Sequence, residues 1–142
     1  MKYKYQSVFD FFIERGYVLP LLYPIESKEA YRYVFADDIQ RNHIPPHKLH
    51  PNRLKQQIKE GRVDLNGFAL SNFESEKKAI SFYRFLHKTC RNAYKQIGDS
   101  LSFGILSSAD GMITATNPKG HFDLFESEEC NLNKTFKIIK PL

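Results

Sequence analysis

His43, His47 and His50 crowd into one short stretch and are the residue type that would suggest a metal site. Zinc needs ligands fixed in a tetrahedron, and two histidines four apart achieve this when a helix carries them. Pro45 and Pro46 stand between the first two and break such a helix. The stretch is therefore expected to be a polar loop whose histidines add to the local positive field, with no metal site. A second cluster, Asp123, Glu126, Glu128 and Glu129, follows an apolar run. Carboxylates so placed suit a divalent ion or general-base work, and equally a solvated loop that balances lysines. Cys90 and Cys130 lie far apart with no CxxC partner, which fits free thiols in a reducing compartment, and Cys90 falls on the apolar side of its helix. There is no Ser-His-Asp order and no glycine-rich phosphate loop to argue for acyl transfer or nucleotide hydrolysis.

Charge is the stronger signal. The chain carries a net charge of +5, but residues 41–97 alone are +8, while residues 1–40 are −1 and residues 98–142 are −2. Such a central field attracts phosphate, anionic lipid or an acidic protein. On a helix at 100° per residue, Lys77, Arg84, Lys88, Arg91 and Lys95 fall within a wedge of roughly 60°. Arg53, Lys55, Lys59 and Arg62 add to them from a shorter helix. A stripe lacking glutamates at i±4 suits a phosphate backbone, with nearby aromatic rings available for stacking; the plainer alternative is a solvated helix face.

These side chains need elements to hold them. At 142 residues and 42% hydrophobic content the chain fits a single domain, residues 1–142, with a sizeable core. Val8, Phe9, Phe12 and Ile13 predict a first helix closed by Gly16. Tyr31–Phe35 reads as a strand, residues 42–51 as loop broken by Pro45, Pro46 and Pro51, residues 52–60 as a helix ended by Gly61, and residues 67–71 as a buried strand. Apolar residues from Ala79 to Ile97 recur at three and four residue spacings and predict one long amphipathic helix over about 75–97. Beyond Gly98 the period changes to two: Leu101, Phe103 and Ile105 predict a strand with those residues inward, followed by strands over 112–116, 121–125 and 135–139. The expected fold is α+β, a single domain with an antiparallel sheet and a long amphipathic helix packed on one face. No apolar run approaches the length of a membrane span or a secretory leader, so the expected setting is the cytoplasm, with no membrane partner.

The tail, from Gly104-Ile105-Leu106 through Asp110-Gly111-Met112-Ile113 and Gly120-His121-Phe122-Asp123-Leu124-Phe125 to Phe136-Lys137-Ile138-Ile139, resembles a family of small uncharacterised bacterial proteins, a likeness that implies no function. Tyr31-Arg32, then Gly67-Phe68-Ala69-Leu70-Ser71 and a helix containing Ala79, is similar to the opening strands of ADP-ribosyltransferase-like folds. That resemblance implies that Arg32 faces an NAD cofactor, Ser71 orders its pocket, and Glu126 or Glu128 is the acid. It requires Arg32 and Ser71 to share a cleft with a glutamate.

Three functions therefore stay open. The leading one is a non-enzymatic module, needing no cofactor, that binds nucleic acid or another polyanion through Lys77, Arg84, Lys88, Arg91 and Lys95. The others are an NAD-using transferase and an interaction or inhibitor module whose basic face meets an acidic protein.

Overall fold

Two antiparallel ladders joined at one residue pair make up the sheet, and that junction positions the site. The computed structural model describes residues 1–142. Its helices are Gln6–Glu14 (α1), Pro46–Leu49 (α2), Pro51–Glu60 (α3), Glu76–Thr89 (α4), Ala93–Gln96 (α5) and Leu132–Thr135 (α6). Its strands are Tyr23–Pro24 (β1), Ser27–Val34 (β2), Leu70–Phe73 (β3), Ser100–Ser107 (β4), Gly111–Ile113 (β5), His121–Glu126 (β6) and Lys137–Pro141 (β7). All pairings are antiparallel, in the order β1-β5-β6-β3-β2-β4-β7. The chain is α+β, as its periodicities predict. No helix is long and apolar enough to cross a membrane.

β2 pairs with β4 from Ser27↔Ser107 to Val34↔Ser100, and β3 with β6 from Leu70↔Leu124 to Phe73↔His121. Between β2 and β3, however, only Tyr31 and Phe73 are in register. Past that pair the two strands separate.

Apolar clusters pin both ladders. Ile25, Ala30, Leu70, Leu106, Phe122, Leu124, Leu132 and Phe136 fill one face. Phe9 and Phe12 of α1 pack with Leu65, Phe68 and Phe125. Phe9 is the hub of this second cluster, its ring centroid 5.8 Å from those of Tyr3 and Phe125 and 6.1 Å from Phe68. Ile13, expected inward, is instead exposed. Ala79 of α4 packs with Phe73 and Leu101 of the sheet, flanked by Tyr31 and Tyr33 and by Ile80 and Phe82 of the same helix.

The structure corrects four local expectations. The helix expected over 75–97 is two helices: it starts with the Ser75 cap, whose Oγ accepts from the Lys78 amide at 3.2 Å, but stops at Thr89. Thr89 Oγ1 donates back to the Leu86 carbonyl at 3.1 Å, and Cys90 is extended (φ −142°, ψ 105°) before α5 resumes the apolar pattern with buried Ala93. Pro46 and Pro51 do not break the segment they occupy. Each sits in the first turn of a helix, where proline's missing N–H is no loss. In β4, Leu101 is buried as expected, but Ile105 is exposed and Ser102, Gly104 and Leu106 are buried, because the Phe136 ring covers Gly104 on the other face. The last strand begins later than expected, at Lys137, with the short α6 before it.

Replacing Phe9 by alanine should empty the centre of the ring cluster and cost about 3–5 kcal/mol. Urea unfolding should show a lower midpoint with an unchanged slope.

Candidate anion-binding cleft

Along β2, Ala30, Arg32 and Val34 alternate with Tyr31 and Tyr33. Ala30 and Val34 are buried, so the alternation places an arginine among core neighbours, and Arg32 is itself only 7% exposed. Its guanidinium turns into the gap where β2 leaves β3. There Nη1 donates to the Ser71 carbonyl and Nε donates to His43 Nδ1 at 2.9 Å. Both acceptors are neutral, Nη2 donates to no protein atom, and no carboxylate forms an ion pair with Arg32. Burial lowers the arginine pKa to about 10, with the nearby charges of Glu126 and Asp123 pulling it back up. The group stays cationic at neutral pH.

His43 is the only non-glycine residue with positive φ, at 59°. Because its Nδ1 accepts from Arg32, the ring is neutral with its proton on Nε2. Burial first, then the charges of Arg32 and Lys4, push the imidazole down to about 3. The ring rests on Phe136, with centroids 5.4 Å apart.

Around Arg32 opens a cleft of about 540 Å³. One wall is the chain from Arg41 to Arg53. Asn42 fixes its start by accepting from the Phe35 amide at 2.7 Å and donating to the Phe35 carbonyl at 3.0 Å. Arg41 lies over the Phe35 ring at 4.0 Å and donates to the Lys95 carbonyl at 3.0 Å, tying this wall to α5. Beyond it come Leu49, His50 and Arg53 from α2 and α3. The facing wall is Phe82 and Leu86 of α4 with Ile97, the floor is Tyr33, Leu70, Ser71 and Phe73, and the lip is Asn117, Lys119 and His121. Four arginines or lysines and three histidines line the cleft, and no aspartate or glutamate does.

The sequence-predicted cations divide between places. Lys77, Arg84 and Lys88 are exposed on α4, Arg91 is in the turn after it, and Lys95 is on α5. None of the five is in an ion pair. The break at Cys90 ends the single helical stripe after Lys88. Arg53 alone of the nine lines the cleft. Lys55 and Lys59 lie roughly 120–160° around α3 from it, and Arg62 pairs with Glu60 at 2.9 Å.

The acidic cluster is not one site. Asp123 faces Asn66, which donates to it at 2.9 Å, and His121 Nε2, 3.4 Å away; burial raises its pKa. Glu126, three residues on, points to the opposite side of β6, where it is 4% exposed and held by Lys4 Nζ at 2.6 Å. Glu128 meets Lys2 at the surface. Arg32 and Ser71 thus share a cleft, while Glu126 opens with Glu129 and Cys130 onto a separate cavity of about 460 Å³. The wall between the two is Asn42, His43 and Ile44. Burial raises the Cys130 thiol pKa, and Cys90 is half-buried rather than in the core.

The three histidines do not form an isolated polar loop. His43 clamps Arg32, His47 is buried against Phe68 with Nε2 2.8 Å from the Asp64 carbonyl oxygen, and His50 reaches the cleft. No group of three His, Cys, Asp or Glu side chains converges as a metal cage. Arg41, Asn42, Asn117, Lys119 and the rings of Phe73 and Phe82 were not legible as site residues from spacing. For Arg32 a usable signal existed, an arginine on the alternating face otherwise given to Ala30 and Val34. No family model, curated protein or solved structure matches the chain.

His43 supplies a pH test. A histidine with a lowered folded-state pKa binds fewer protons folded than unfolded, so its contribution is complete above about 6.5 and is lost as pH falls towards about 3. Wild-type protein should lose thermal stability between pH 6.5 and 5. The variant His43→Asn, which tolerates the left-handed backbone and keeps an acceptor for Arg32, should show a flatter curve there. Parallel curves for the two proteins would contradict the assignment.

Proposed function

We propose that the protein binds a small phosphate-bearing ligand, without catalysis, in the cleft around Arg32. The observation that carries this reading is a buried guanidinium whose protein partners are all neutral, in a cleft with cationic and no anionic side chains. A buried charge is ordinarily paired. Here the counter-charge is left to a ligand, and arginine offers phosphate a planar pair of donors. Arg41 and Arg53 on one wall supply further positive charge towards the same space. The transferase reading shares Arg32 and Ser71 with this one, but its glutamate would have to come from the other side of the Asn42–Ile44 wall. Binding therefore explains the cleft with fewer moving parts.

A second reading has its own support. Lys77, Arg84, Lys88, Arg91 and Lys95 are exposed and free of acidic partners, which favours a polynucleotide lying over α4 and α5 outside the cleft.

Calorimetric titration with inorganic pyrophosphate separates the two. Arg53→Ala should weaken binding about tenfold, as expected for one charge-assisted contact, and Arg32→Gln should weaken it further. The double variant Arg84→Glu/Arg91→Glu should bind pyrophosphate nearly as wild type does. If instead pyrophosphate fails to bind, and this double variant abolishes salt-sensitive binding of single-stranded DNA or RNA, the helix face is the working surface.

A further inference from the structure

We infer that the α4 side of the cleft is a subsite for a flat heteroaromatic ring, so that the ligand is a nucleotide and not a free inorganic anion. The inference rests on the phosphate-binding reading above and adds to it the chemistry of the ligand's other end.

The cleft is chemically two-sided. The cations Arg41 and Arg53, with His50, stand on the wall that runs from Arg41 to Arg53, while Arg32 is at the floor. The other side is aromatic and aliphatic: Phe73 and Tyr33 at the floor, Phe82 and Leu86 from α4. Tyr33, Phe82 and His121 are partly open and are backed by the buried Phe73 ring, which lies 5.5 Å from Tyr33, 5.4 Å from Phe82 and 5.5 Å from His121. Their positions are fixed from behind. Tyr33 spends its hydroxyl on the Ala79 carbonyl at 2.6 Å, so it presents its ring and not its polar tip. A purely inorganic anion has no use for such a surface, whereas a nucleobase does, since every base has a π-face to lay on it.

Polar groups at the lip suit the edge of such a ring. Asn117 accepts the Lys119 and His121 amides with Oδ1, at 2.9 and 3.0 Å, and this orients its side chain while leaving Nδ2 without a protein partner. Lys119 Nζ lies 5.9 Å from the Phe82 ring centroid. Two donors therefore flank the aromatic surface, where a base carries ring nitrogens and carbonyls as acceptors. The cavity of about 540 Å³ falls within the range that encloses small organic ligands, roughly 300–1,000 Å³.

The test compares ADP with inorganic pyrophosphate by calorimetry on the wild-type chain and on Phe82→Leu. Leucine keeps the apolar packing against Phe73 but removes the ring face. ADP should bind wild type at least about tenfold more tightly than pyrophosphate, a margin typical of one stacked base. Phe82→Leu should reduce ADP affinity by a similar factor and leave pyrophosphate affinity unchanged, the latter also showing that the variant is folded. Asn117→Ala, at the exposed lip, should weaken ADP selectively as an independent check. Equal wild-type affinity for ADP and pyrophosphate overturns the ring subsite while the phosphate cleft stands. Binding of neither overturns both.

Discussion

Arg32 acts as a wedge where β2 and β3 part. If the single register pair Tyr31↔Phe73 were continued as a ladder, Ser71 would lie opposite Tyr33. Instead the Ser71 carbonyl accepts from the Arg32 side chain, so a backbone partner is exchanged for a side-chain donor and the strands stay apart. The exchange gives the Ser71 carbonyl a donor in place of the ladder partner it forgoes. The ladders on either side are long enough to hold without it. β2 has eight residues in register with β4, and β3 has all four of its residues in register with β6. The cleft, its aromatic floor and its exposed lip all follow from that one interruption.

The same residue sets the electrostatics. Removing a guanidinium from water costs several kcal/mol, and a carboxylate neighbour is the usual compensation. Glu126 and Asp123 are near enough to hold up the Arg32 pKa, but neither touches it: Glu126 is engaged by Lys4 and Asp123 by Asn66. Arg41 and Arg53 on the adjoining wall add like charge. An anion in the cleft relieves both the unpaired charge and this mutual repulsion, so ligand binding and folding stability are linked in the same direction. The exposed cations of α4 and α5 contribute differently. Set in water and clear of the cleft, their charges are screened over about 8–10 Å at physiological salt.

Periodicity made the fold class legible because α1 and α4 each bury one face and the strand segments change to period two; α3 keeps the pattern but buries no residue, with Ile58 exposed. It could not reveal the stop at Thr89, since two helices laid end to end keep the same apolar positions; only the local bonding of Thr89 Oγ1 and the extended Cys90 separate them. Prolines misled in the opposite sense. Pro46 and Pro51 look like breakers in a bare sequence although each opens a helix, and those short helices build the wall that carries His50 and Arg53. Counting charge along the chain does not separate the cations by place, because Arg53 turns to the cleft while Lys55 and Lys59 on the same helix turn away. Arg32 lies outside the basic segment altogether. A site formed where two ladders diverge depends on strand order, which spacing along one chain does not encode.

The clamp on Arg32 bears on how such a site responds to pH. His43 can hold the Arg32 Nε–H only while its Nδ1 is free of a proton. With its pKa pushed down to about 3, that condition is met throughout the neutral and mildly acidic range, so the guanidinium keeps its orientation as pH varies there. His50, at the cleft wall, is also shifted down, by burial and then by the charges of Arg53 and Arg41. Burial first, and then the charges of the neighbouring arginines, thus shift both histidines towards the neutral form. The charge at the centre of the cleft is therefore that of Arg32, to which its two neutral partners add none of their own.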